Sequence, residues 1–214
     1  MPGIAALILA AGTSRRMQGP NKLLREVGGM PMIERAVWAA VGSRCSQVVV
    51  VTGWQADLVQ AAVRAEPAFA GVQIVHNPQY SQGLATSIRC AVAVVADRPE
   101  AGERVNVADA ALVQLADMPW VAATHLDRLI EAFDPAAPSI VAPVRNGRRG
   151  NPVLWPRRHF AALAALQGDA GARELLLQLV SEVRTVPFDT DAIFQDIDTR
   201  EQLEAARESA RPPR

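Results

Sequence analysis

Ile4-Ala-Ala-Leu-Ile-Leu9-Ala10-Ala11-Gly12-Thr-Ser14-Arg15-Arg16-Met17-Gln18-Gly19-Pro-Asn-Lys22-Leu-Leu24 is the stretch on which the reading turns. Ile4–Leu9 is a continuous apolar run without polar alternation. A strand of that kind is buried on both faces, as in a parallel sheet covered by helices. The strand then meets a turn of small and basic residues. In an open α/β sheet the ligand crevice lies beyond the C-terminal ends of the strands. Small residues there let backbone N–H groups come close to a phosphate. Arg15, Arg16 and Lys22 carry charge suited to a polyphosphate. The segment is neither a Walker A loop nor a Gly-x-Gly-x-x-Gly fingerprint. Composition alone leaves two readings open here, a phosphate cradle and a basic surface loop.

Outward from this stretch, strands and helices alternate. Helical patterns at Pro31–Val41, Ala56–Ala65, Leu84–Ala96 and Ala122–Phe133 separate strands at Gln47–Thr52, Val72–Val75, Ala111–Leu115 and Ser139–Ala142. The βαβαβαβαβ order predicts an α/β sheet with helices on both faces. After Pro143 the rhythm changes. Pro152–Trp155, Glu182–Pro187 and Phe194–Ile197 read as short strands, and Arg157–Leu166 and Ala172–Val180 as helices. A capping box, Thr199-Arg-Glu-Gln202, opens a last helix. One domain over residues 1–206 is expected, with a frayed tail at 207–214 and a surface insertion at Arg98–Asp109.

Composition narrows the function. The 214 residues are 50% hydrophobic and 21% charged, ample for a core. The longest apolar run, Ile4–Ala11, is far short of the roughly 20 residues of a membrane span. No secretory leader pattern opens the chain, and its two cysteines, Cys45 and Cys90, make no disulfide framework or zinc site. A cytoplasmic protein is expected, without a membrane. Charge balances at 22 basic and 22 acidic residues, which disfavours nucleic acid as a partner. Lys22 is the only lysine among the 22 basic residues, a candidate for work needing a compact ammonium.

Other segments carry potential chemistry. Leu115-Ala-Asp117-Met-Pro119 ends a strand with an acid, suited to Mg²⁺ or simply to opening a turn. Asn77-Pro78-Gln-Tyr80-Ser-Gln-Gly83-Leu-Ala-Thr86-Ser87 is a turn and helix start whose hydroxyls suit either a cap or a base edge. In Gln195-Asp196-Ile197-Asp198-Thr199, a strand would put both acids on one face, and Asp198 would otherwise serve the helix N-terminus. Arg148-Arg149-Gly150-Asn151-Pro152 and Gly168-Asp169-Ala-Gly171-Ala-Arg173 read alone as turns.

Taken in order, these segments resemble nucleotidyltransferases of the nucleotide-diphospho-sugar transferase fold, and among them most the molybdenum cofactor cytidylyltransferases. Leu-Ala-Ala-Gly-x-Ser-x-Arg-Met with Lys-Leu-Leu is similar to the opening signature of that family. The resemblance implies a three-layer α/β/α fold with a mixed, mostly parallel sheet. It implies that Leu9, Ala10, Ala11 and Gly12 wrap the nucleotide, that Arg16 and Lys22 hold the triphosphate, and that Gly83 and Ser87 face the base. Asp117 and Asp198 (preferred over Asp196) would bind Mg²⁺, and Arg16, Lys22 and Asp117 would carry catalysis. Arg149, Asn151, Asp169 and Arg173 would face the acceptor. The implied reaction moves CMP from CTP to the terminal phosphate of molybdopterin, with a molybdoenzyme or its maturation chaperone as a protein partner. The chain departs from the pattern at Gln18, Asn151 and Arg200, where the family commonly has Gly, His and Pro. Guanylyl transfer, another phosphorylated acceptor such as a sugar phosphate, methylerythritol phosphate or phospholactate, a catabolic reductase, and a nucleotide-binding regulator stay open.

Overall fold

A computed structural model describes residues 2–14, 17, 19–96, 108–169 and 171–210. The loop residues Arg15, Arg16 and Gln18, nearly all of the insertion expected at Arg98–Asp109, and the tail 211–214 lie outside the described residues.

Strand β1 (Ile4–Ala10) is the centre of the sheet, and every one of its residues is buried. It pairs in parallel with β4 (Gln47–Thr52) on one side and β6 (Ala110–Leu115) on the other. Strand β5 (Gln73–His76) extends the sheet in parallel beyond β4. Past β6 the sheet becomes mixed. Strand β9 (Val153–Pro156) runs antiparallel to β6 and to β7 (Ile140–Arg145), and β10 (Val183–Pro187) is parallel to β7. A short β8 (Arg148–Arg149) folds back on β7, and β2 (Glu26–Val27) pairs with β3 (Met30–Pro31) apart from the main sheet. Among the described residues the order is β10-β7-β9-β6-β1-β4-β5.

The continuous apolar run of β1 feeds two cores. Ile4, Ala6, Ile8 and Ala10 pack on one face with Ile33 and Val37 of α1 (Met32–Val41), Val59 and Val63 of α2 (Ala56–Ala65), and Leu126 and Leu129 of α4 (Ala123–Glu131). Ala5, Leu7 and Leu9 face the other way, onto Ile88 and Val92 of α3 (Leu84–Ala96) and Leu163 of α5 (Phe160–Ala164). Side chains alternate along a strand, so an unbroken apolar strand demands cover on both sides. The three-layer α/β/α arrangement follows.

Two expectations about the C-terminal region are corrected. Phe194–Ile197 is not a strand: a 3₁₀ turn covers Asp191–Ile193, and Ile197 N donates to Asp117 O rather than to a ladder. The last helix, α7 (Arg200–Ser209), passes the expected fraying point, and Arg207 Nε donates to Glu26 O. The capping box is present: Thr199 Oγ1 accepts from Gln202 N, and Gln202 Oε1 from Thr199 N. Leu203 and Ala206 of α7 pack with Met17, Val27, Met32 and Ile197 in a third cluster, which docks the C-terminal segment on the first loop. Among the described residues no helix is long and apolar enough to cross a membrane.

Candidate active site

Strand order reverses between β1 and β6, which puts the ligand crevice past Ala10 and Leu115. A cavity of about 510 Å³ lies there. Leu9 lines it from β1, Ala11, Gly12, Thr13, Ser14 and Lys22 from the segment that follows, and Leu115 and Asp117 from the end of β6 and just beyond. Asp198 reaches it from the segment before α7. Ala10, expected at the nucleotide, instead points into the opposite core, because side chains alternate along β1. Gly12 has no neighbour within 4 Å of where a Cβ would stand, so its missing side chain leaves cavity space.

Lys22 is held by its surroundings. Asn21 is fully buried; its Nδ2 donates to Trp54 O at 2.9 Å and its Oδ1 accepts from Leu23 N at 3.1 Å. The Asn21 backbone N–H donates to Gln55 Oε1, and that of Lys22 to Ser14 Oγ. Clamped this way, the Lys22 side chain is buried and its ammonium donates to Asp117 Oδ2 at 2.7 Å and to Asp198 Oδ1 at 2.6 Å. Burial works against the ammonium, but Asp117 and Asp198 more than offset it, so the Lys22 pKa lies above its ordinary value. Burial is also the largest influence on Asp117 and raises its pKa, with Lys22 opposing and the charges of Asp198 and Asp196 adding. The bond from Ile197 N to Asp117 O brings the two acids together without a strand. Asp196 is exposed, and Lys22 pairs with Asp198.

The donor set fits a hard divalent cation. Asp117 Oδ1 is buried and has no hydrogen-bond partner among the described residues. Such an oxygen is costly unless something positive meets it. Among the described residues no group of three or more His, Cys, Asp or Glu side chains gathers to hold a metal. Asp117 and Asp198 therefore suit an ion that takes one or two carboxylates and completes its shell with phosphate and water.

Tyr80, Ser81, Gly83, Leu84 and Ser87 line the same cavity. Asn77, buried, donates through Nδ2 to Thr86 Oγ1 at 2.8 Å and to Ser87 Oγ at 3.1 Å. Thr86 is thereby spent on the local turn, since its hydroxyl also meets Gln79 O and Gly83 O. Ser87 accepts from Asn77, which leaves its own O–H to donate. Gly83 has φ +112°, and a Cβ there would come within 2.4 Å of Asp169 Oδ1 and 2.7 Å of Gly168 O. The Gly168–Asp169 turn packs directly on it, and Ala85 N donates to Gly168 O. This places Asp169 on the first cavity, apart from Arg149, Asn151 and Arg173.

A second cavity, about 550 Å³, adjoins the first; Leu9, Leu84 and Leu115 line both. Arg149, Asn151 and Arg173, which read alone as parts of two separate turns, line it together. Arg173 opens α6 (Arg173–Gln178). Sequence reasoning missed Asn21, Gln55 and Gly53. Polar and glycine residues in loops usually signal turns, and nothing local distinguishes a buried anchor from a turn former. Gly53 is forced by packing: a Cβ would lie 2.5 Å from Tyr80 Cβ and 2.7 Å from Ala11 O.

A lysine and two aspartates gathered at the switch point of a mixed α/β/α sheet, beneath a loop of small residues, define an enzyme of the nucleotidyltransferase class. The chain belongs to the MobA-like NTP transferase domain family, whose model matches residues 6–183. A molybdenum cofactor cytidylyltransferase from Escherichia coli is 24% identical over 208 residues, 97% of each chain. The nicotine blue oxidoreductase of Paenarthrobacter nicotinovorans is 29% identical over 209 residues, 95% of this chain and 96% of that one. Among solved structures, Rv0371c from Mycobacterium tuberculosis superimposes with a TM-score of 0.77 at 27% identity, covering 97% of this chain and 98% of that one. The same mycobacterial protein has also been solved as a complex with manganese, with a TM-score of 0.74, 26% identity, and 97% and 99% coverage.

Proposed function

We propose that the chain transfers a cytidylyl group from CTP to the terminal phosphate of a molybdopterin-type acceptor, in the cytoplasm and with Mg²⁺. An acceptor phosphate oxygen attacks the α-phosphorus, the bond to the β-phosphate breaks, and pyrophosphate leaves. The carrying observation is the Lys22 ammonium held between Asp117 and Asp198 beside a cavity lined by Gly12, Thr13 and Ser14. Catalysis on such a site is positioning and charge neutralisation. A divalent ion held by Asp117 and Asp198 would neutralise phosphate charge. Lys22, with Arg16 from outside the described residues, would hold the triphosphate and stabilise the leaving pyrophosphate. Backbone N–H groups of the Gly12–Ser14 turn would orient the phosphates, and Ser87 would donate to the cytosine edge. Arg149, Asn151 and Arg173 would orient the acceptor in the second cavity, where a molybdoenzyme or its maturation chaperone would supply or receive it.

Pyrophosphate release tests the reading, with CTP and GTP offered against molybdopterin and sugar phosphates. CTP with molybdopterin should give the fastest release. A second reading has one observation behind it: the relative at 29% identity is named an oxidoreductase. Material that carries a flavin spectrum and releases no pyrophosphate would favour that reading.

A further inference from the structure

Arg200 is the first residue of α7, directly after the Thr199 cap. The N-terminal end of a helix carries partial positive charge, so an acid such as Glu201 suits its first turn and a cation is disfavoured there. Helix α7 therefore supplies no reason for a guanidinium at this position. The first loop supplies one. Arg200 Nε donates to Met17 O at 3.1 Å, across 183 residues of chain. Met17 is also held by its own N–H, which donates to Ser14 O at 3.0 Å. Its side chain, 5% exposed, packs with Ile197, Leu203 and Ala206.

These bonds close a path through the site. Arg200 reaches Met17, and Met17 reaches Ser14. Ser14 Oγ accepts from Lys22 N at 3.2 Å, and the Lys22 ammonium donates to Asp198, two residues before Arg200. Ser14, Lys22 and Asp198 line the first cavity, whereas Met17 and Arg200 are outside its lining.

We propose that Arg200 is a positioning residue for triphosphate binding. From outside the cavity lining, its bond to Met17 O holds the first loop, which also carries Arg16, in register with Lys22 and Asp198. The inference rests on the first cavity being the nucleotide site. A loop fixed before the ligand arrives spares binding the entropy of ordering it, so the anchor is read as affinity for the phosphates.

Four substitutions in the full chain test this. Arg200→Met removes the donor, and so does Arg200→Pro, which a first helical position accepts without loss to the helix. Arg200→Gln keeps an N–H donor as many bonds from the backbone as Arg Nε, without the charge. Arg200→Lys keeps the charge without a donor at that point. In the nucleotide-free protein, hydrogen exchange of peptides covering residues 13–22 should quicken about three- to tenfold in the Met and Pro variants, the scale of one hydrogen bond. Exchange within α7 should not change, and the Gln variant should behave as the wild type. Calorimetric titration with CTP and Mg²⁺ should show affinity weakened about three- to tenfold by Met and Pro and restored by Gln. CMP, which lacks the β- and γ-phosphates, should lose less than about twofold. Unchanged loop exchange overturns the proposal, as do faster exchange with unchanged CTP affinity and equal losses for CTP and CMP. Rescue by Lys and not by Gln also overturns it, because the effect is then one of charge. A wild-type chain that binds no CTP defeats the nucleotide reading and this role with it, whereas CTP binding that is indifferent to Arg200 defeats this role alone.

Discussion

Lys22 and Asp198 stand 176 residues apart in the chain and 2.6 Å apart in space. Asp117 completes the cluster at 2.7 Å from the same ammonium. The lone lysine thus neutralises the two carboxylates best placed to hold a divalent ion. A divalent ion held there would compete with the ammonium for the same oxygens, and a bound triphosphate would give the ammonium somewhere else to go.

Lys22→Met should therefore destabilise the metal-free protein by about 3 kcal/mol, the scale of an ion pair broken by removing one buried partner, reduced by the partial exposure of Asp198. Manganese should restore more stability to this variant than it adds to the wild type. Thermal melts with and without Mn²⁺ measure the difference, and equal Mn²⁺ shifts in both proteins would refute the competition. Lys22→Arg should not fully restore transfer, because a planar guanidinium does not replace a compact ammonium among phosphate oxygens.

Asp117→Asn should lower metal-dependent turnover by at least about 100-fold while the chain stays folded, since removing a metal-bridging carboxylate costs several kcal/mol of transition-state stabilisation. Circular dichroism verifies the fold, and pyrophosphate release at saturating Mg²⁺ gives the rate. A near-normal rate would remove Asp117 from the metal site.

Two glycines separate fold from function. Gly53→Ala should cost about 1–3 kcal/mol, because its Cβ would press on Tyr80 and Ala11 O with no flexible neighbour to yield. Gly12→Ala meets nothing within 4 Å and should leave stability within about 0.5 kcal/mol. It should nevertheless weaken CTP binding, since the added methyl occupies cavity space. Denaturant unfolding and CTP titration of both variants check the contrast.

Asp169→Ala should raise the KM for CTP more than that for the acceptor, because the carboxylate lines the first cavity against Gly83. The opposite ratio would return Asp169 to the acceptor side.

The legible part of the fold was the part written in long apolar runs. An unbroken apolar β1 and an acid two residues past the end of β6 locate the crevice, because sheet topology does the rest. Phe194–Ile197 misled for a physical reason. Phe194, partly buried, and Ile197, buried, pack against different clusters, and a tertiary bond from Ile197 N to Asp117 O sets Asp198 in place instead of a ladder. The place of Asp169 was not legible, because sequence does not say which way a turn folds. The bond from Ala85 N to Gly168 O turns it onto the start of α3. Asn77 stood in a recognised segment, but its bond to Ser87 depends on a helix returning from ten residues on.

The most direct measurement is a competition in which the full chain receives equal CTP and GTP with Mg²⁺ and molybdopterin, and the products are weighed by mass spectrometry. Ala11 and Ser87 line the first cavity; on the proposed reading the Ala11 methyl and the Ser87 hydroxyl would favour the smaller base, and unpaired polar edges on the larger one would cost roughly 1–3 kcal/mol each. The account predicts pyrophosphate release and a cytidylylated acceptor in about tenfold to hundredfold excess over the guanylylated one. Absence of product with either nucleotide, across molybdopterin, aromatic and sugar phosphates, would contradict it.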